Sequence, residues 1–390
     1  MEGLDEPEAR ADGWPDAPSL ATRQRSPRSE RAVLDVMSRY LSKYALLIAL
    51  IGLVAFFSRI RPHTFGTLDN LEAIAAAETP VIILAFAEMV VLIIGRIDLS
   101  VGATFSLSSV VAADLTLKHH LSPIVGIGAA LFAASAIGVV NGVLVSFARI
   151  DAFVVTLATW TVVNGLVLLF TSGVSIYGRS SGIFGSLTVG KLAGLPLLVV
   201  YAAAGTLVLA ALLSSFPAGR RMYATGSNER AAMLSGIRTR RYVVATFVGA
   251  ALLAGLAGVL LASNTGAGTP GVGDSLLIPA ITAAFLGGTS VTPGRFNPIG
   301  TLIAAYLIAV AVAGLQQLGA AQWVTPVFNG SMLLMAVSVS LIAARTSARR
   351  ARAARLRALS KRSDAQQAGN PADRRVPAFE VRSMSTPSES

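Results

Sequence analysis

The chain has 390 residues, of which 53% are hydrophobic and only 14% charged, with a formal net charge of +11 and no cysteine. A soluble domain carries about 25% charged residues, so the deficit marks a membrane protein, and 36 glycines suit helices that approach closely in lipid. Without cysteine there are no disulfides, thiolate metal sites or cysteine nucleophiles, and His63, His119 and His120 lack metal-ligand spacing, so no metal, cofactor or catalytic residue is expected.

Residues 1–43 mix Pro, Asp, Glu, Arg and Ser without apolar periodicity, which predicts a disordered cytoplasmic segment. The first apolar run lacks a cleavage site after it and is expected to stay as a membrane helix rather than act as a signal peptide. Spans are predicted at about 44–58, 73–94, 101–116, 122–147, 152–172, 192–214, 242–263, 275–290, 298–318 and 323–344. The fold class is therefore all-α and polytopic, about ten transmembrane helices forming a domain over 44–344. Residues 275–290 are short, contain Pro279 and end in Gly287-Gly288. That segment either spans or is broken and re-entrant, a shape allowed only where protein or a water-filled cavity satisfies its backbone.

The longest polar interruption is Pro217–Arg241, PAGRRMYATGSNERAAMLSGIRTRR, where six basic residues face one acid, Glu229. With the N-terminus inside, 27 of the 32 Lys and Arg fall on the cytoplasmic side, and an even number of spans keeps both termini there. The tail 345–390 holds 11 basic and 4 acidic residues. It reads as a basic helix on anionic membrane lipids or as a solvated anchor. The positive charge thus reports topology and lipid contact, and no nucleic-acid partner is expected.

One near-motif carries nothing. Gly185 to Lys191 has the spacing of a phosphate-binding loop, but Leu192 stands where a Ser or Thr must hold magnesium. ATP-driven action therefore needs a partner chain. Acids fall within or beside spans at Glu72, Glu78, Glu88, Asp98, Asp114 and Asp151, and each must face protein or water. Glu88 is the deepest, and either lines a polar pathway, relays protons or seals a helix contact. Asn141, Thr156, Trp160 and Asn164 add hydrogen-bonding groups and an aromatic face. Such a set suits a hydroxyl-rich solute, and equally suits bonding between helices.

Gly95-Arg96-Ile97-Asp98-Leu99-Ser100-Val101-Gly102 forms a tight turn: Gly95 ends one helix, Asp98 or Ser100 caps the next, and Gly102 permits close packing. This stretch resembles the Gly-Gly-Ile-Asp-Leu-Ser-Val-Gly signature of permease subunits of bacterial ABC importers for monosaccharides, of the ribose and xylose type, with Arg96 replacing a glycine. The resemblance continues through Asn141-Gly142, 152–157, 223–237, 284–290 and Gly300-Thr301. It implies a multi-pass protein of the bacterial inner membrane, paired with a second copy or paralogue, a cytoplasmic ATPase and an extracytoplasmic sugar-binding protein. It also implies that the short helix of Asn228, Glu229, Arg230, Ala231, Ala232 and Leu234, stopped by Gly236, docks into the ATPase. The expected activity is monosaccharide import without enzymatic chemistry in this chain. The alternative is an ion- or proton-coupled secondary transporter relaying through Glu88. Arg96 and Glu88, both departures from the family pattern, either mark an unusual substrate or pair with each other.

Overall fold

Proline and short polar side chains set where the apolar runs begin to coil. The computed structural model describes residues 27–178, 182–340, 342, 356 and 358–360. Residues 1–26, and the expected basic tail apart from 356 and 358–360, lie outside the described residues. The chain divides into two units, Met1–Leu41 and Ser42–Ser390, and the second holds the membrane domain. The helices are α1 (Pro27–Ile60), α2 (Leu68–Ala77), α3 (Thr79–Ile93), α4 (Ser100–Ala113), α5 (Pro123–Ser146), α6 (Ala152–Thr171) and α7 (Ile183–Ser186). After them come α8 (Leu197–Ser214), α9 (Pro217–Ser227), α10 (Glu229–Leu234), α11 (Thr239–Thr265), α12 (Val272–Gly287), α13 (Pro298–Gln317) and α14 (Val324–Ser340).

Prolines stand in the first turns of α3, α5, α9 and α13, where a missing N–H costs nothing. Asp151 caps α6 and Asn297 caps α13 by accepting from Phe153 N and Gly300 N. A π-helical turn, Asp114–Lys118, closes α4. The described strands are two-residue pairs: β1 (Ile176–Tyr177) with β4 (Ala267–Gly268), and β2 (Lys191–Leu192) with β3 (Leu195–Pro196).

Seven described helical segments are long and apolar enough to cross a membrane, and α2 with α3 makes an eighth, bent by 41°. The protein is thus an all-α polytopic membrane protein. Helices α12 and α14 are apolar but shorter; the 16 residues of α12 reach about 24 Å against a hydrocarbon core of about 30 Å.

Three expectations change. Residues 27–43 are helical, and Val33, Met37, Tyr40 and Tyr44 recur at helical spacing in the sequence. The single span expected over 73–94 is two helices. Pro80 has no N–H to offer the Ala76 carbonyl, so the ladder breaks at Glu78. The break considered for 275–290 is absent: α12 runs through Pro279 as one helix.

Helix α3 is the centre. Every residue from Thr79 to Ile93 is buried, against α8, α11, α12 and α13. The periphery is different: the apolar Ile124, Phe132, Leu169 and Leu207 stand exposed on α5, α6 and α8. Since lipid tails are as apolar as leucine, close backbone approach must hold the core together. A Cβ at Gly138 would lie 2.7 Å from Phe247 O, and one at Gly273 would strike the Gly102 carbonyl. The first contact seats α5 on α11, and the second seats α4 on α12.

Candidate functional site

The turn between α3 and α4 is built as its residues dictate. Gly95 takes a positive φ of 74°. Its N–H bonds Leu92 O while Arg96 N–H reaches back to Val91 O, the pairing of a Schellman stop. The expected cap of α4 is shifted: Leu99 holds the capping position, and Asp98 reaches past it to accept from both the Ser100 N–H and the Ser100 hydroxyl. Burial pushes the Asp98 carboxyl up to about 6, with the Ser100 hydrogen bonds pulling against it.

From Ser100 a buried chain runs across three helices. Asn141 Nδ2 donates to Ser100 Oγ at 2.8 Å, and Thr159 Oγ1 donates to Asn141 Oδ1 at 2.6 Å. Thr156 Oγ1 accepts from Leu99 N–H at 3.2 Å. A second cluster joins α6 to the start of α12. Trp160 Nε1 donates to Asp274 Oδ1 at 2.7 Å, and Asn164 Nδ2 donates to both Asp274 oxygens at 3.0–3.1 Å. Four of the five residues considered for a solute pathway are therefore hydrogen-bonded between helices and loops, although Asn164 Oδ1 is buried without a partner. Asp274 is the partner that sequence reasoning misses. Its only signal is an acid ending the charge-free stretch 242–273, which reads as the edge of a span.

The acids beside the spans mostly have work to do. Glu72 accepts from Lys191, whose pKa that bond raises. Asp114 pairs with Lys118 at 3.4 Å, and Asp151 caps α6. Glu78 and Glu88 are the exceptions: among the described residues no side-chain hydrogen bond reaches either carboxylate, and Glu88 is fully buried. Glu88 does not pair with Arg96.

Arg96 instead crosses to Glu229 on α10, at 3.0 Å. That contact gives the replaced glycine of the turn a physical role. Helix α10 is short but fully capped. Asn228 Oδ1 accepts from Ala231 N–H at 3.0 Å, and Gly236, with φ 81°, ends it in a second Schellman stop. Ala232 is buried against the protein, whereas Arg230, Ala231 and Met233 face outward and Leu234 is 90% exposed. Helix α9, not foreseen from the sequence, supports it from behind. Tyr223 OH donates to Phe296 O at 2.6 Å, with the Arg295 guanidinium 4.1 Å above its ring. Burial raises the Tyr223 phenol, and Arg295 opposes that rise. Gly226 lies so close to α3 that a Cβ there would overlap the Ile93 carbonyl.

A buried helical core crossed by internal polar chains, with a capped loop helix tied to it, makes this a polytopic membrane protein. Residues 70–337 match the family described as branched-chain amino acid transport system / permease component, and the chain belongs to that family. It is a transport permease, not an enzyme. It is 33% identical over 319 residues to the ribose import permease protein RbsC of Bacillus subtilis, covering 82% of this chain and 98% of the relative. Identity is 29% to the D-allose transport system permease protein AlsC of Escherichia coli, over 82% of this chain and 98% of that protein. It is also 29% to the L-arabinose ABC transporter permease protein AraH of Azospirillum brasilense, over 82% and 95%. No solved structure gives a significant match.

Proposed function

We propose that this chain is the membrane subunit of an ATP-driven importer that carries a monosaccharide across the bacterial inner membrane. A second copy or close paralogue completes the pathway, an extracytoplasmic sugar-binding protein delivers the solute, and a cytoplasmic ATPase supplies the work. Counting α12 and α14, ten segments traverse the bilayer, with both termini and the α9–α10 loop on the ATPase side. The ribose, allose and arabinose permeases among its relatives support the substrate class.

The observation that carries the coupling is the two-sided character of α10. Its outer side offers Leu234, an apolar knob of the kind that fills a partner's groove. Its inner side is tied through Glu229 to Arg96 in the turn between two buried helices. A push on Leu234 is therefore delivered to the core. Two turns of helix are marginal alone in water, so the caps and this ion pair keep α10 formed before docking.

The test is reconstitution in proteoliposomes with a candidate ATPase and binding protein from the same organism, using labelled D-ribose, D-allose and L-arabinose. Uptake of one of these that requires ATP and both partners is the expected result. Uptake by this chain alone, driven by an ion gradient and lost in Glu88→Gln, would replace the proposal with a coupled secondary transporter.

A further inference from the structure

We propose that the cavity opened by the break between α2 and α3 is a binding site for a small neutral polyhydroxyl solute on its way through the permease. The inference rests on the function and orientation proposed above. The cavity measures about 310 Å³, room for a monosaccharide with a few waters. Its polar wall is Glu78 at the break, Ser275 on α12, Gln316 on α13, and Thr325 and Asn329 on α14. Val81, Leu276, Pro279 and Ile308 add apolar lining. A sugar ring presents both hydroxyls and C–H groups.

The physical pressure for a ligand comes from unmet hydrogen bonds. Among the described residues, no side chain bonds the Glu78 carboxylate, and Asn329 Oδ1 is buried without a partner. Gln317, which follows the lining residue Gln316 on α13, gives Nε2 to Asn70 at 2.9 Å but leaves Oε1 unpartnered. Each such group at membrane depth costs free energy unless water or solute satisfies it. A broken helix at membrane depth is tolerated where protein or a water-filled cavity satisfies its backbone, and this one lies beside such a cavity. By contrast, the Asp98–Ser100–Asn141–Thr159 chain is internally bonded and has little to offer a solute.

The chemistry selects the class. One carboxylate among amides and hydroxyls accepts from solute hydroxyls, while Asn329 and Gln316 can donate or accept. The described residues contain no group of three His, Asp or Glu to hold a metal ion. In the proposed orientation, α2, the first turns of α12 and α14 and the last turns of α13 all lie in the outer half of the bilayer. The cavity then receives solute from outside.

The chain has no native cysteine, so a single Thr325→Cys in the complete importer is a clean probe. An impermeant methanethiosulfonate added outside should label it, more slowly when the transported sugar is present, and labelling should abolish uptake. Asn329→Leu should lower uptake about tenfold, while ATP hydrolysis stimulated by the loaded binding protein stays within about twofold, showing an assembled complex. Normal uptake with an unreactive cysteine, or labelling that leaves uptake intact, overturns the cavity assignment alone. A wild-type importer that carries none of the three sugars overturns the proposed function and this inference with it.

Discussion

The two ends of α3 are opposites. At the Gly95 end, backbone presses on backbone: Gly226 sits against the Ile93 carbonyl, and Arg96 reaches across to Glu229. At the Glu78 end the helix is broken by 41° beside a cavity where the Glu78 carboxylate and Asn329 Oδ1 lack side-chain partners. Between them all fifteen residues are buried, so any shift of the helix must be taken up by its packed neighbours. The contrast teaches how such a helix transmits work. On the proposed reading, one end is fastened to the part that the ATPase would push, and the other borders the space that the solute would enter.

The fastened end should be the more fragile. Gly226→Val places its side chain where the Ile93 carbonyl already lies, and neither backbone can yield without shifting a helix. A stability loss of about 3 kcal/mol is expected, read as a lowered thermal midpoint in detergent, with loss of uptake. A normal midpoint would mean that the joint is looser than its geometry. Leu234→Asp should leave that midpoint unchanged, because the side chain is 90% exposed. It should nonetheless weaken capture of the ATPase by about 2 kcal/mol in a pull-down titration.

The ion pair is a finer instrument. It is partly exposed, so its net worth is about 0.5–1 kcal/mol, and Arg96→Glu adds a repulsion of similar size against Glu229. That single change should reduce the stimulation of ATP hydrolysis by the loaded binding protein while leaving basal hydrolysis alone. The swap Arg96→Glu with Glu229→Arg should restore stimulation. Failure of the swap to rescue would show that the pair does not carry the coupling.

Much of this is visible in the residues, and the remainder is hidden for a definable reason. Apolar runs separated by charge locate the membrane helices, and the Asn228 cap with the Gly236 stop locates α10, because each is a local pattern. Arg96 and Glu229 are separated by 133 positions, and Trp160 and Asp274 by 114, so no periodicity links them. Arg96 looks like an anomaly in the sequence because its partner lies in another loop. The break at Glu78 does leave a local sign, in Thr79-Pro80, but a long apolar run outweighs it. Length reports that a segment can cross, whereas one missing N–H decides whether it crosses straight.

That missing N–H supplies the last and smallest test, at the open end of α3. Pro80→Ala returns a donor to the Ala76 carbonyl and removes the ring that forces the ladder apart. Because the surrounding side chains already fit the bend, the gain in stability should be only about 1 kcal/mol, seen as a small rise in the thermal midpoint. Uptake should fall, since a straighter helix narrows the space beside Glu78. The two ends then answer in opposite senses: loosening the fastened end costs stability and transport together, while mending the broken end raises stability and lowers transport. If Pro80→Ala raised both, the bend would be a tolerated flaw rather than part of the passage.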